Sequence, residues 1–167
     1  MSESAHPRPP QRKAPLRLYT VSGWIEATLH VPEKQPLLDF LNGDRGFLTL
    51  TDVSLPQGTK LPFLALSLDA VILIQPSLDE LVEASARSSQ RTAIRQVSCL
   101  FPGGMLMGSL PLPEDTRVSD EMMNSGEFFL VGNCTLGIDA APSKHAMEAS
   151  AHLLLHARKI IGVAEIT

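Results

Sequence analysis

Residues 104–123 read GMLMGSLPLPEDTRVSDEMM, and residues 23–42 read GWIEATLHVPEKQPLLDFLN. The two stretches stand 81 positions apart, and shifting the chain by that distance aligns residues 23–55 with 104–136 without a gap. Gly23/Gly104, Leu29/Leu110, Pro32/Pro113, Glu33/Glu114, Asp39/Asp120, Phe47/Phe128 and Leu55/Leu136 are identical, and Leu41/Met122 and Asp52/Asn133 are conservative pairs. Self-similarity at a fixed distance marks a repeated supersecondary unit. The likeness resumes further on: FLALSLDAVILI, residues 63–74, matches HLLLHARKIIGV, residues 152–163, at a distance of 89. The second copy therefore carries eight more residues, within GIDAAPSKHAMEASA, residues 137–151.

Inside each copy the apolar residues recur every second position. In WIEATLHV, Ile25, Ala27, Leu29 and Val31 oppose Trp24, Glu26, Thr28 and His30, the pattern of a half-buried strand. FLTLTDVSL alternates Phe47, Thr49, Thr51 and Val53 with Leu48, Leu50, Asp52 and Ser54, and its β-branched content supports a strand. FLAL and AVILI, joined by Ser67-Leu68-Asp69, read as a tight strand pair, while PLLDFLN and RVSDEMM each read as one helical turn. Read alone, KHAMEASAHLLLHARKI is an amphipathic helix; the repeat makes its second half a strand, and the repeat takes precedence. Five short strands in each copy bury one apolar face best by closing into a small barrel, which also removes exposed edges. SLDELVEASARSSQR, residues 77–91, has Ser77 and Glu80 spaced as a capping box, with Leu78, Leu81, Val82 and Ala86 on one helical face. The expected chain is mainly β: a disordered basic, proline-rich tail (1–16), a first five-stranded barrel (17–76), a helical linker (77–92) and a second barrel (93–167).

With one Trp and one Tyr, the core must be aliphatic. No apolar run approaches the roughly 18 residues of a membrane span, and no apolar stretch follows the basic residues near the N-terminus as a secretory signal requires. Cys99 and Cys134 lack metal-like spacing, fall at strand positions expected to be buried and fit a reducing, cytoplasmic setting, though one disulfide stays open. The net charge of −4 divides unevenly, because residues 1–17 carry Arg8, Arg12, Lys13 and Arg17 against Glu3 alone. The other residues hold 10 of the 14 basic and 17 of the 18 acidic side chains, and a body so acidic argues against phosphate-backbone binding.

The order of signals in each half resembles the Sm-like small barrel of Lsm and Hfq proteins. A glycine-marked turn, a second strand with G-x-L, a D-x-x-x-N and an isoleucine-rich last strand appear in the second copy as FPGGMLMGSL (residues 101–110), Asp120, Asn124 and KIIGVAEI. The first copy has GWIEATL, Asp39, Asn42 (one residue closer) and AVILIQP. That family's RNA-binding Arg-Gly pair is replaced by Leu68-Asp69 and Ala157-Arg158, so the resemblance implies the fold without the RNA site. A second resemblance is to PilZ-type receptors for cyclic di-GMP. Arg8-Pro-Pro-Gln-Arg12 matches their arginine arm, whereas Asp52-Val-Ser54-Leu-Pro-Gln-Gly58 is one residue longer than their strand motif. It implies a ligand set of Arg8, Arg12, Asp52 and Ser54, with guanidinium groups gripping phosphate.

Other chemistry finds less support. His152 and His156 are spaced as two metal ligands, but no acidic residue follows at matching spacing. No G-x-S-x-G elbow occurs, and FPGG reads as a β-turn with Pro102 and Gly103 at its centre. Asp39 and Asp120 recur before a helical turn, where each is expected to cap it. No catalytic residue, metal or cofactor is assigned. The expectation is a non-catalytic structural or adaptor protein, a subunit or assembly factor of a larger complex, that binds a protein partner or itself, with a cyclic di-GMP receptor or an Sm-like RNA-binding protein as alternatives. Met105, Met107, Met122 and Met123 gather in the second copy either as adaptable contacts or as core filler.

Overall fold

The computed structural model describes residues 7–80, 92–124, 127–138 and 151–166. Ten strands appear among them: β1 (Gln11–Thr20), β2 (Gly23–Pro32), β3 (Phe47–Ser54), β4 (Lys60–Ser67), β5 (Val71–Pro76), β6 (Thr92–Phe101), β7 (Gly104–Pro113), β8 (Phe128–Ile138), β9 (Ala151–His156) and β10 (Gly162–Glu165). Two short helices, α1 (Leu37–Leu41) and α2 (Val118–Asn124), precede β3 and β8. All strands join one antiparallel sheet, in the order β10-β6-β7-β8-β9-β5-β1-β2-β3-β4.

The expected β character is observed; the expected pair of closed barrels is not. The sheet is open and continuous, because β5 pairs on one side with β1 and on the other with β9. Nor do β4 and β5 form the expected tight pair. A 3-10 turn at Leu68–Ala70, pinned by buried Leu68, sends the chain from β4, which pairs with β3, across to β1. Buried Leu153, Leu154 and Leu155 lie on strand β9, so residues 151–156 of the segment that alone reads as helix form a strand; residues 144–150 of that segment lie outside the described residues.

The path through residues 11–76 is β5-β1-β2-β3-β4, and the path through residues 92–165 is β10-β6-β7-β8-β9. The registers agree as well. Gln11 faces Pro32 and Thr20 faces Gly23; 81 residues on, Thr92 faces Pro113 and Phe101 faces Gly104. Phe47 faces Ser67 as Phe128 faces His156. Leu18 faces Ile74 as Cys99 faces Val163. In the second hairpin Gly103 has φ of 87°, the left-handed backbone that the third residue of a type II turn requires.

Each half also carries a β-bulge at the same place. The β2–β3 register slips between Glu26/Ser54 and Thr28/Thr51, and the β7–β8 register slips between Met107/Thr135 and Ser109/Gly132. Asp52 and Asn133 are the extra residues, both with φ of 50°. The slip shifts the buried phase from Leu48 and Leu50 to Val53, and from Phe129 and Val131 to Cys134. A regular alternation of Phe47, Thr49, Thr51 and Val53 is therefore not what the strand presents. Gly108 lies opposite the second bulge, where a Cβ would come within 2.5 Å of Val131.

β1 begins at Gln11, six residues before the expected boundary of the first folded unit at 17. Ala14, Leu16 and Leu18 are buried on one face, so the strand pattern already runs through the basic segment. Pro15 is tolerated because it lies just outside the β1–β5 ladder, which starts at Leu16. Residues 78–80 are helical; the remainder of the expected linker, 81–91, lies outside the described residues, as do residues 139–150 of the expected insertion. The Glu80 carboxylate is engaged by Arg12 at 2.9 and 2.8 Å instead of completing the expected capping box. Asp39 and Asp120 are third in their helices and not at the cap position; Pro36 precedes α1 without a side-chain cap hydrogen bond.

Two apolar cores line the sheet, and they interlock. The first-half core includes Phe128 and Leu154 of the second half. The second-half core includes Tyr19, Ile72 and Leu73 of the first, with Trp24 packed on it. Removing apolar area from water stabilises by about 25 cal/mol per Å², so this exchange ties the halves together.

Candidate functional site

The four residues of the ligand alternative divide between two places. Asp52 and Ser54 line an open cavity of about 470 Å³ together with Arg17, Glu26 and Gln75. Arg17 sits 4.8 Å over the Trp24 ring, 3.6 Å from the Glu26 carboxylate and 3.3 Å from the Gln75 side-chain oxygen. Arg12 is not among the lining residues. Its guanidinium donates twice to Glu80, and to the carbonyls of Pro32, Glu33 and Gln35 at 2.7, 3.2 and 2.7 Å. Arg8 lies exposed before β1. The phosphate grip that the arginine arm implies would require Arg12 to leave a bidentate ion pair.

A second polar arrangement lies where the halves meet. β5 and β9 pair through Leu73 with Leu155 and Ile74 with Leu154. Beside them the Asn42 side chain, which ends α1, closes a two-way contact with the backbone of Phe128. The Phe128 N–H donates to Asn42 Oδ1 at 2.7 Å, and Asn42 Nδ2 donates to the Phe128 carbonyl at 3.2 Å. The backbone at the start of β8 is thereby held by a residue 86 positions earlier. The Phe128 ring is 1% exposed, and full burial of such a side chain stabilises by about 1.5–3 kcal/mol. It stacks on His156 with ring centroids 4.6 Å apart and planes at 17°.

His156 is fully buried, and its Nδ1 lies 2.8 Å from the Val71 carbonyl. Taking Nδ1 as the protonated nitrogen makes that contact a hydrogen bond and leaves Nε2 without a partner among the described residues. Burial holds the imidazole below its ordinary pKa, opposed by the Val71 carbonyl and by Glu127. The residue that the sequence offers as half of a metal pair thus fastens β9 to β5.

On the far side of the same junction Tyr19 packs against Trp24 at 5.2 Å and edge-on against Phe101 at 5.9 Å. Cys99 and Cys134 are free thiols buried in the second core, as expected from their strand positions. Burial pushes them up to about 11 and about 12, so neither is poised as a nucleophile.

The outer ends of the sheet look different. Phe47 and Phe63 at the β3–β4 end are 63% and 56% exposed, and Ile161 beside β10 is 70% exposed. Leu100 and Met105, cross-strand partners in the second half, are also exposed, as are Met107 and Met123; Met122 alone of the four clustered methionines packs against the core. Comparison with protein-family models, with curated proteins and with solved structures returns no match for this chain. The sequence had marked Phe47/Phe128 as an identical pair; that one ring is buried and the other open to solvent is visible only in the fold.

Proposed function

We propose that this chain is a non-catalytic structural subunit or adaptor that works through protein–protein contact, built from a tandem duplication of an Sm-like half. The observation that carries the reading is the pair of sheet ends. β4 and β10 each pair with a strand on one side only among the described residues, and exposed large apolar side chains stand beside both. Unpaired strand edges next to apolar surface are sites for strand addition by a partner. The matching strand paths, registers and bulges of the two halves support the duplication. The loss of the Arg-Gly pair, whose positions fall in the two 3-10 turns, supports a role other than RNA binding.

The test is the native mass of the tagged full chain drawn gently from the cells that make it, with every component identified by mass spectrometry. An interaction subunit runs in an assembly heavier than its own 18.1 kDa, whatever the composition. A chain that runs alone as a monomer at its natural abundance refutes the reading.

A further inference from the structure

Resting on that interaction reading, we infer that the partner at the sheet ends is a second copy of this chain, joined head to tail with β4 of one molecule beside β10 of the next. The template is the junction inside the molecule. There, the last strand of the first half, β5, pairs with the fourth strand of the second half, β9. Strands β10 and β4 are the corresponding last and fourth strands of the opposite halves, and each has one edge unpaired among the described residues. An interface that joins two unlike faces of a repeated unit does not use itself up. It leaves the same two faces at the ends and propagates until a ring closes or a filament forms.

The side chains bear this out position by position. Phe128 is buried against the first-half core, whereas its counterpart Phe47 is 63% exposed. Ile72 is 1% exposed in the second-half core, whereas Ile161, 89 positions on, is 70% exposed. Tyr19 and Trp24 pack across the junction, whereas their counterparts Leu100 and Met105 face solvent. In each case the internal junction covers one member of a pair, and the other member is an unexplained apolar group at the sheet end where the next junction would lie. Transferring the Leu73–Leu155 and Ile74–Leu154 pairings places Gly162 beside Leu66, and Val163 beside Ala65, of the neighbouring molecule.

The two ends are unlike, so they can be blocked separately. Phe47→Asp disables the β4 end and Ile161→Asp the β10 end; both side chains are exposed, so the fold of the single chain should tolerate either change. The probe is light scattering coupled to size exclusion on the purified full chain over a wide concentration range. The wild type is expected above the single-chain mass, with each variant alone at that mass. An equimolar mixture of the two variants is expected as a dimer and nothing larger, because each retains the end that the other lacks. If either variant fails to melt cooperatively, Phe47→Thr and Ile161→Thr replace them. A β10-blocked variant that still dimerises indicates self-pairing of β4 and overturns head-to-tail order, as does a mixture that stays monomeric. A wild type that is monomeric when pure overturns the inference. If that same chain still occupies a larger assembly in native extract, the interaction reading survives and only self-association falls.

Discussion

Asp52 and Asn133 occupy the same kink of two strands 81 residues apart, each with φ of 50°, and among the described residues they alone adopt positive φ without being glycine. Asp and Asn tolerate this left-handed backbone better than other side chains, which it costs about 1–2 kcal/mol. Asp52→Gly and Asn133→Gly should therefore leave stability unchanged or slightly raised. Asp52→Val and Asn133→Val should each lower it by about 1–2 kcal/mol in urea unfolding, since a β-branched residue fits that backbone worst. Large losses from the glycine variants would show that the side chains, not the backbone, carry the kink.

That pair also measures what the sequence disclosed. Strand identity, the two helical turns, the buried cysteines and the 81- and 89-residue correspondences were legible because apolar alternation is local and repeats. The bulge was not, although Asp52/Asn133 were aligned: one extra residue reverses the facing of everything after it, and alternation counted straight through Asp52 misses the slip. The open sheet was hidden for a different reason. Whether β5 closes on β4 or pairs with β9 is a choice between two partners of similar apolar character, decided by tertiary packing. Arg12 was assigned to a tail by its charge and its prolines, yet its neighbours Ala14, Leu16 and Leu18 already carried the strand period.

Asn42 holds the Phe128 backbone from both sides, so its loss leaves a part-buried N–H and C=O without these partners. Asn42→Ala should destabilise by about 1–3 kcal/mol. Amide exchange at Phe128 should quicken more than at Leu50, in the middle of the first-half core. Equal quickening at the two amides would show that Asn42 supports the whole fold and not the junction.

Arg12 and Glu80 form a bidentate pair in which the glutamate side chain is only 8% exposed and the arginine side chain 22%. Truncation in Arg12→Ala strands that carboxylate and should cost about 1–3 kcal/mol, less than a fully buried pair because solvent reaches the arginine. Arg12→Lys should recover little, since an ammonium cannot reproduce the fork. Glu80→Gln should soften the effect of Arg12→Ala in a double-mutant cycle. Because Arg12 is committed in this way, cyclic di-GMP should give no heat in calorimetry with the wild type; measurable binding lost in Arg12→Ala would revive the receptor alternative.

Cys99 and Cys134 keep their protons in the folded chain to about 11 and about 12, against 9.0 for an ordinary thiol. Above pH 9 the unfolded chain loses protons that the native one retains, so stability should fall as pH rises from 9 toward 11. At pH 8 a thiol reagent should label neither cysteine faster than the protein opens, and both at once in denaturant. Rapid labelling of the native protein would place a thiol at the surface.

His156 gives the opposite slope on the acid side. Burial lowers its pKa in the folded state from 6.5, so below that pH the unfolded chain binds a proton that the native chain excludes. Stability from this residue is complete above pH 6.5 and declines as pH falls toward the depressed native value. While the unfolded imidazole is protonated and the native one is not, the decline is up to about 1.4 kcal/mol per pH unit. Since the ring stacks on Phe128 and bonds the Val71 carbonyl, the charged form would strain the contact between the halves first. The sensitive comparison is His156→Gln, whose amide can still donate to Val71 but does not titrate. Melting followed between pH 7.5 and 5.5 should show a steeper loss in the wild type than in this variant, with the gap growing as pH falls. Parallel curves would mean that the native protein protonates His156 without cost, and that the unpartnered Nε2 has an acceptor in solution.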